Sequence, residues 1–165
     1  MTASRSQWPL FEVFVKSRNG LEHKHSSSLH ATDSEHALML ARDVYTRRQE
    51  GNSLWVVPAD SISENGAAPA GWTAQQPQPY EVFLRLKAGL DHKHVGSVDA
   101  KNGAEAVAAA VRAFGDYAPG SLWVAPSDAI VATEAEERDP FFEPMADKTY
   151  RLPTFYRLPD AVNNM

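Results

Sequence analysis

The sequence predicts an α+β protein made of two tandem ββαβ modules packed as a pseudo-twofold pair, followed by an extended C-terminal tail rich in aromatic residues and proline. Three observations carry that expectation. Blocks of the first half return in the same order in the second half. Within each half, strand-like alternation gives way to apolar residues at helical spacing. The last stretch occurs once and interleaves Phe and Tyr with Pro.

The repeat is explicit. Phe11-Glu12-Val13-Phe14-Val15-Lys16 returns as Tyr80-Glu81-Val82-Phe83-Leu84-Arg85, and Gly20-Leu21-Glu22-His23-Lys24-His25 as Gly89-Leu90-Asp91-His92-Lys93-His94. Ser53-Leu54-Trp55-Val56-Val57-Pro58 returns as Ser121-Leu122-Trp123-Val124-Ala125-Pro126, with Asp60 and Ile62 matched by Asp128 and Ile130. Three blocks in one order mark a tandem duplication.

Each copy follows the same plan. Residues 10–16 alternate, Phe11, Val13 and Val15 on one face and Glu12, Phe14 and Lys16 on the other, which predicts a strand. Ser17-Arg18-Asn19-Gly20 is a turn whose Asn-Gly pair favours a hairpin, and residues 21–31 form the return strand. Asp33 or Thr32 caps a helix with Glu35 in its first turn, and Ala37, Leu38, Leu40, Ala41, Val44 and Tyr45 follow at helical spacing. Gly51 stops it, and Leu54-Trp55-Val56-Val57 is a third strand. In the second copy the helix starts near Asn102 and carries Ala106, Val107, Ala110, Val111 and Phe114. A hairpin covered by one helix, with a third strand beside it, implies a β-grasp or α/β-roll arrangement, with a ferredoxin-like sheet as the alternative.

The expected boundaries are residues 8–62 for the first module, 63–79 for a linker, 80–131 for the second module and 132–165 for the tail. The linker composition, rich in Gly, Ala, Gln and Pro, forms no core of its own. Each module has about 55 residues, a size at which one core is marginal, so the two are expected to pack together. In the tail, Phe141, Phe142, Tyr150, Phe155 and Tyr156 stand among Pro140, Pro144, Pro153 and Pro159. That proline density argues against regular helix or central strand. The aromatics then wrap along the chain's own modules or reach a partner.

Composition narrows the function classes. At 165 residues and 43% hydrophobic, the chain can bury a core, and its net charge of −5 argues against nucleic-acid and anionic-membrane partners. Without cysteine it has neither disulfides nor thiolate-held clusters. The N-terminus lacks an apolar signal core and no run is long enough to span a membrane, so a cytoplasmic location is expected.

Few constellations suggest chemistry. His23 and His25, like His92 and His94, share a strand face, and imidazole is a common transition-metal ligand. No acidic residue completes a ligand set at strand or helix spacing, so these histidines read first as structural or interface groups and second as the centre of a stand-alone metal- or ligand-binding module. No nucleophile elbow, phosphate loop or dinucleotide fingerprint is present; Ser26-Ser27-Ser28 reads as a strand edge, and Glu134, Glu136 and Glu137 as a solvated charge run. Arg42-Asp43-x-Tyr45-Thr46-Arg47-Arg48 offers guanidinium forks suited to carboxylate or phosphate, an acyl-CoA phosphate included. The second copy reads Val111-Arg112-Ala113-Phe114 there, so this charged face exists once.

These residues resemble the PaaB family of ring-1,2-phenylacetyl-CoA epoxidase subunits. The resemblance runs through Trp8-Pro9-Leu10-Phe11-Glu12-Val13-Phe14-Val15, Gly20-Leu21-x-His23-x-His25, Leu29-His30-Ala31-x-Asp33, Ala41-Arg42-Asp43-x-Tyr45-Thr46-Arg47-Arg48-x-Glu50-Gly51 and Ser53-x-Trp55-Val56-Val57. It continues in Tyr80-Glu81-Val82-Phe83, His92-Lys93-His94-Val95-Gly96-Ser97, Phe141-Phe142-x-Pro144, Lys148-x-Tyr150-Arg151 and Pro153-Thr154-Phe155-Tyr156. Nearly all of the chain outside the linker is covered. It departs from the usual short, single-module member, since the family's front half matches the first copy best and its tail follows the second.

The resemblance implies a non-catalytic accessory subunit, without a cofactor of its own, that bridges a multicomponent monooxygenase. Its implied partners are a catalytic di-iron subunit and a structural subunit, with the NADPH-dependent reductase as a further one; a homodimer of the chain is also open. Arg42, Asp43, Tyr45, Arg47, Arg48, Phe141, Phe142, Tyr150, Phe155 and Tyr156 are the candidate partner contacts.

Overall fold

The computed structural model describes residues 7–46, 51–67 and 73–146. The first half contains β1 (Leu10–Ser17), β2 (Lys24–His30), α1 (Ser34–Tyr45), β3 (Gly51–Pro58), a 3-10 turn over Ala59–Ser61 and the short β4 (Ser63–Glu64). The second contains β5 (Gln78–Leu84), β6 (Lys93–Ala100), α2 (Gly103–Phe114), β7 (Leu122–Pro126), a 3-10 turn over Ser127–Ala129 and β8 (Val131–Ala132). A third helix, α3 (Arg138–Ala146), follows. The α+β class expected from the sequence is observed, as one antiparallel sheet of eight strands ordered β4-β7-β5-β6-β2-β1-β3-β8.

Local sequence explains the elements. In β1, Phe11, Val13 and Val15 face α1, and β5 uses Tyr80, Val82 and Leu84 in the same way beneath α2. The β1–β2 register slips between Val13 and Phe14, so Val13 pairs with Ser27 and Phe14 with His25. The same slip between Val82 and Phe83 pairs Val82 with Gly96 and Phe83 with His94. One extra residue in a strand reverses the faces beyond it, which turns His25 and His94 away from the helices. Asp33 caps α1 by accepting from the His36 N–H at 2.8 Å, a bond that holds its carboxyl below the usual range. Asn102 caps α2 by accepting from the Glu105 N–H at 2.9 Å, and Glu105 reaches back to the Lys101 N–H at 3.0 Å.

Two apolar clusters lie under the helices, the buried members of each coming from one half, with Val131, Phe141 and Phe142 of the second half packed against the first. A third lies on the opposite sheet face and draws on both halves: Phe14 and Val57 meet Phe83 and Ala125, with Trp55, Ile62, Trp123 and Ile130 around them. Burial of apolar surface is the main favourable term in folding, and this shared cluster supplies what either half lacks alone.

The halves also exchange their last strands. β4, from the first half, pairs with β7 (Ser63 opposite Val124), while β8, from the second, pairs with β3 (Val56 opposite Val131). Residues 63–65 therefore depart from the linker expected over 63–79. Asn65 is buried, exchanges backbone bonds with Leu122 and Gly120, accepts from the Leu122 N–H through its side chain and donates to the carbonyls of Tyr117 and Ala118. Thr133 holds the reciprocal position beside Leu54: its N–H donates to the Leu54 carbonyl and its hydroxyl accepts from the Leu54 N–H. Gly66 follows with φ of +86°, and a Cβ there would meet Pro119 at 2.6 Å, so this crossing requires glycine. At the other end, β5 begins at Gln78, two residues before the expected module start.

The tail requires a second correction. Residues 138–146 form a helix despite Pro140 and Pro144. Pro140 lies in the first turn, where an N–H has no acceptor inside the helix, and Pro144 removes one bond from a nine-residue element. Apolar packing offsets that loss: Phe141 and Phe142 pack on the cluster beneath α1 and Met145 is buried.

Candidate functional site

The two His-x-His segments meet where β2 crosses β6. Lys24 stands opposite Lys93, the His25 N–H donates to the His92 carbonyl at 2.8 Å, and the His94 N–H donates to the His23 carbonyl at 2.9 Å. Four imidazoles are thereby placed around one seam, each half contributing two.

Their rings are committed to tryptophan. His23 stacks on Trp55 with centroids 3.9 Å apart and planes 14° from parallel, and His92 stacks on Trp123 at 3.8 Å and 14°. The other two cross the seam: His25 sets its ring edge-on to Trp123 at 5.1 Å, and His94 to Trp55 at 4.9 Å. Each indole thus holds one histidine of its own half by the face and one of the opposite half at an inclined angle. Sequence reasoning found the histidines and missed this pairing, although both tryptophans recur in the repeated Ser-Leu-Trp blocks.

The ring nitrogens are also engaged. His25 Nε2 donates to Glu12 Oε2 at 2.6 Å and His94 Nε2 to Glu81 Oε2 at 2.6 Å. His92 Nε2 donates to the Gly120 carbonyl at 2.9 Å, and His23 Nε2 is hydrogen-bonded to Ser53 Oγ at 3.0 Å. Burial, reinforced by Lys16 and His94, lowers the pKa of His23 to about 4. Burial also lowers that of His92 to about 4, against the opposing bond to Gly120 and with help from Arg85. Both are therefore uncharged near neutrality.

Neutral imidazole is the metal-binding form, yet among the described residues no group of three or more His, Cys, Asp or Glu side chains converges to hold a metal ion. Glu22 and His25 do stand at Glu-x-x-His spacing. That spacing serves a di-iron centre only on a helix facing the centre of a bundle. Here Glu22 lies 3.8 Å from Lys93 Nζ and His25 is bonded to Glu12.

The two halves differ at the carboxylates. Glu81 Oε1 accepts from Ser127 Oγ at 2.8 Å, whereas Ala59 stands at the matching place beside Glu12. Glu12 and Ala59 line a recess of about 270 Å³ with Glu64 and Trp123, whose Nε1 donates to Glu64 at 3.2 Å.

The other candidates divide into two groups. Arg42 donates to Asp43 at 3.0 Å and to the Phe141 carbonyl at 3.2 Å, with its guanidinium 5.1 Å from the Phe141 ring centroid. Tyr45 donates to the Ser28 carbonyl, and Phe141 and Phe142 meet edge-to-face on the first-half cluster. Arg47, Arg48, Tyr150, Phe155 and Tyr156 lie outside the described residues. No helix among the described residues is long and apolar enough to cross a membrane.

Comparison with known proteins completes the site's context. The family described as PaaB, phenylacetic acid degradation B, matches residues 7–71 and 76–163. The B subunit of the 1,2-phenylacetyl-CoA epoxidase of Escherichia coli K12 is 32% identical over 162 residues, covering 98% of this chain and 99% of that protein. A crystal structure of a phenylacetate-CoA oxygenase subunit, PaaB from Ralstonia eutropha JMP134, is 65% identical over 38% of this chain and 98% of that one, with a TM-score of 0.34.

Proposed function

The chain belongs to the phenylacetic acid degradation B family, and we propose that it serves as a non-catalytic, bridging subunit of a phenylacetyl-CoA epoxidase in aerobic phenylacetate degradation. Its partners in this reading are the catalytic di-iron subunit and the structural subunit of the oxygenase, with the reductase as a further contact. The chain supplies no cofactor, and its role is to hold the other subunits in one assembly.

The seam is the observation that carries the reading. The histidines, the side chains best suited to chemistry, are held by indole faces, carboxylates, a hydroxyl and a carbonyl within the fold. Groups so engaged act by fixing one half against the other. We read the halves as tandem ββαβ copies, equivalent to two fused protomers, whose outer surfaces have diverged for different contacts. The aromatics and arginines beyond the described residues, Arg47, Arg48, Tyr150, Phe155 and Tyr156, are proposed as partner contacts.

Capture of the tagged chain from its native host grown on phenylacetate tests this. The expected result is recovery of the catalytic and structural epoxidase subunits in fixed proportion. Recovery of the chain without either one contradicts the proposal.

A further inference from the structure

A groove runs between α1 and the segment that links β8 to α3. It encloses about 270 Å³, with Leu38, Met39 and Phe141 among its apolar lining and Glu35, Glu134 and Glu137 supplying carboxylates. Met39 is 53% exposed, and all three glutamates are exposed. Among the described residues, none of these glutamates takes part in an ion pair. An exposed apolar floor edged by unpaired charge of one sign is the pattern of a recognition surface.

The second half offers an internal comparison. Asp33 and Asn102 cap the two helices at matching places, so Glu35 corresponds to Ala104 and Met39 to Ala108. The large apolar group and the carboxylate are thus present on α1 and missing from the equivalent face of α2. Stability alone does not call for this difference, because alanine is the better helix former and an exposed methionine gains little from burial. α3, which supplies Phe141 to the groove, also occurs once among the described residues.

Size and charge identify the occupant. A volume of about 270 Å³ falls short of a typical small-molecule or cofactor cleft and suits a single large side chain. Three carboxylates around it select cations on either side of that anchor. We propose that this groove docks a basic segment of a partner subunit of the epoxidase, an apolar side chain entering between Met39 and Phe141 while flanking lysines or arginines meet Glu35, Glu134 and Glu137. The assignment of the segment to an epoxidase subunit rests on the bridging role proposed above.

The test titrates the full-length chain against the purified remaining epoxidase subunits at low and high salt, by biolayer interferometry. Wild type is compared with E134K/E137K, M39A and R112E, the last on the exposed face of α2, and circular dichroism checks that each variant is folded. The expected result is binding by wild type that weakens with salt, a loss of about tenfold or more together with most of the salt dependence in E134K/E137K, a loss in M39A, and no loss in R112E. M39A keeps the test decisive if the charge-reversed variant fails to fold. Groove variants that bind as wild type does, or an equal loss in R112E, overturn the groove assignment and leave the bridging role standing. Absence of binding by wild type overturns both.

Discussion

Phe14 and Phe83 stack with ring centroids 4.1 Å apart and planes inclined by 27°, and neither exposes any surface to solvent. They occupy matching places in β1 and β5, so the centre of the shared core is one side chain from each half. Either substitution to alanine opens a cavity both halves line, at a cost of about 3–5 kcal/mol. F14A/F83A should cost clearly less than the sum of the single variants, because the second truncation removes a ring that has already lost its partner. Urea unfolding measures this, and all variants should unfold in one transition; separate transitions for the two halves would contradict the shared core.

Asn65 holds the first half to the second through its backbone and through three side-chain bonds. N65A leaves the Leu122 N–H and the Tyr117 and Ala118 carbonyls without that partner, and should cost about 1–3 kcal/mol. Asparagine replaced by aspartate keeps an acceptor for Leu122 and faces the two carbonyls with negative charge, so N65D should not restore stability. Hydrogen exchange at the Leu122 amide should quicken most in N65A, which removes its side-chain acceptor.

Acid should weaken the fold through the seam. His23 and His92 have pKa values of about 4 when folded, against an ordinary 6.5 once unfolded, so the unfolded chain takes up their protons first as pH falls. Their contribution is complete above 6.5 and is lost progressively between 6.5 and 4. Denaturant midpoints measured across that window should fall with pH, and the slope should be shallower in H23Q/H92Q. NMR titration should find both imidazoles neutral at about pH 6.

Truncation separates the two parts of the tail. Ending the chain at Glu137 removes Phe141, Phe142 and Met145 from the first half, and the melting temperature should drop by several degrees. Ending it at Ala146 retains that packing, so the melting temperature should drop less than on ending at Glu137, while association with the oxygenase subunits weakens. An equal thermal effect of both truncations would place the stabilising contacts further along the chain.

The recurring strand blocks, the helix starts at Asp33 or Thr32 and near Asn102, and the two histidine pairs were legible because each depends on residues near one another in sequence. The exchange of β4 and β8 was not. Two residues carry no alternation, and Ser63-Glu64-Asn65 has the composition of a linker until Leu122 is seen to bond it. Helix α3 was obscured by Pro140 and Pro144, whose cost is offset by packing against the first-half cluster, a contact between segments far apart in the chain. At the seam, the role of Glu12 and Trp55 follows from register: the bulge beside Val13 decides which face His25 occupies, and no local spacing announces it.

Native mass spectrometry of the purified chain mixed with the catalytic and structural subunits tests the bridging role most directly. The account predicts one assembly containing all three, larger than the catalytic–structural pair alone and reverting to that pair when this chain is omitted. A mixture in which the chain stays free while the other two subunits form the same assembly with or without it would contradict the account.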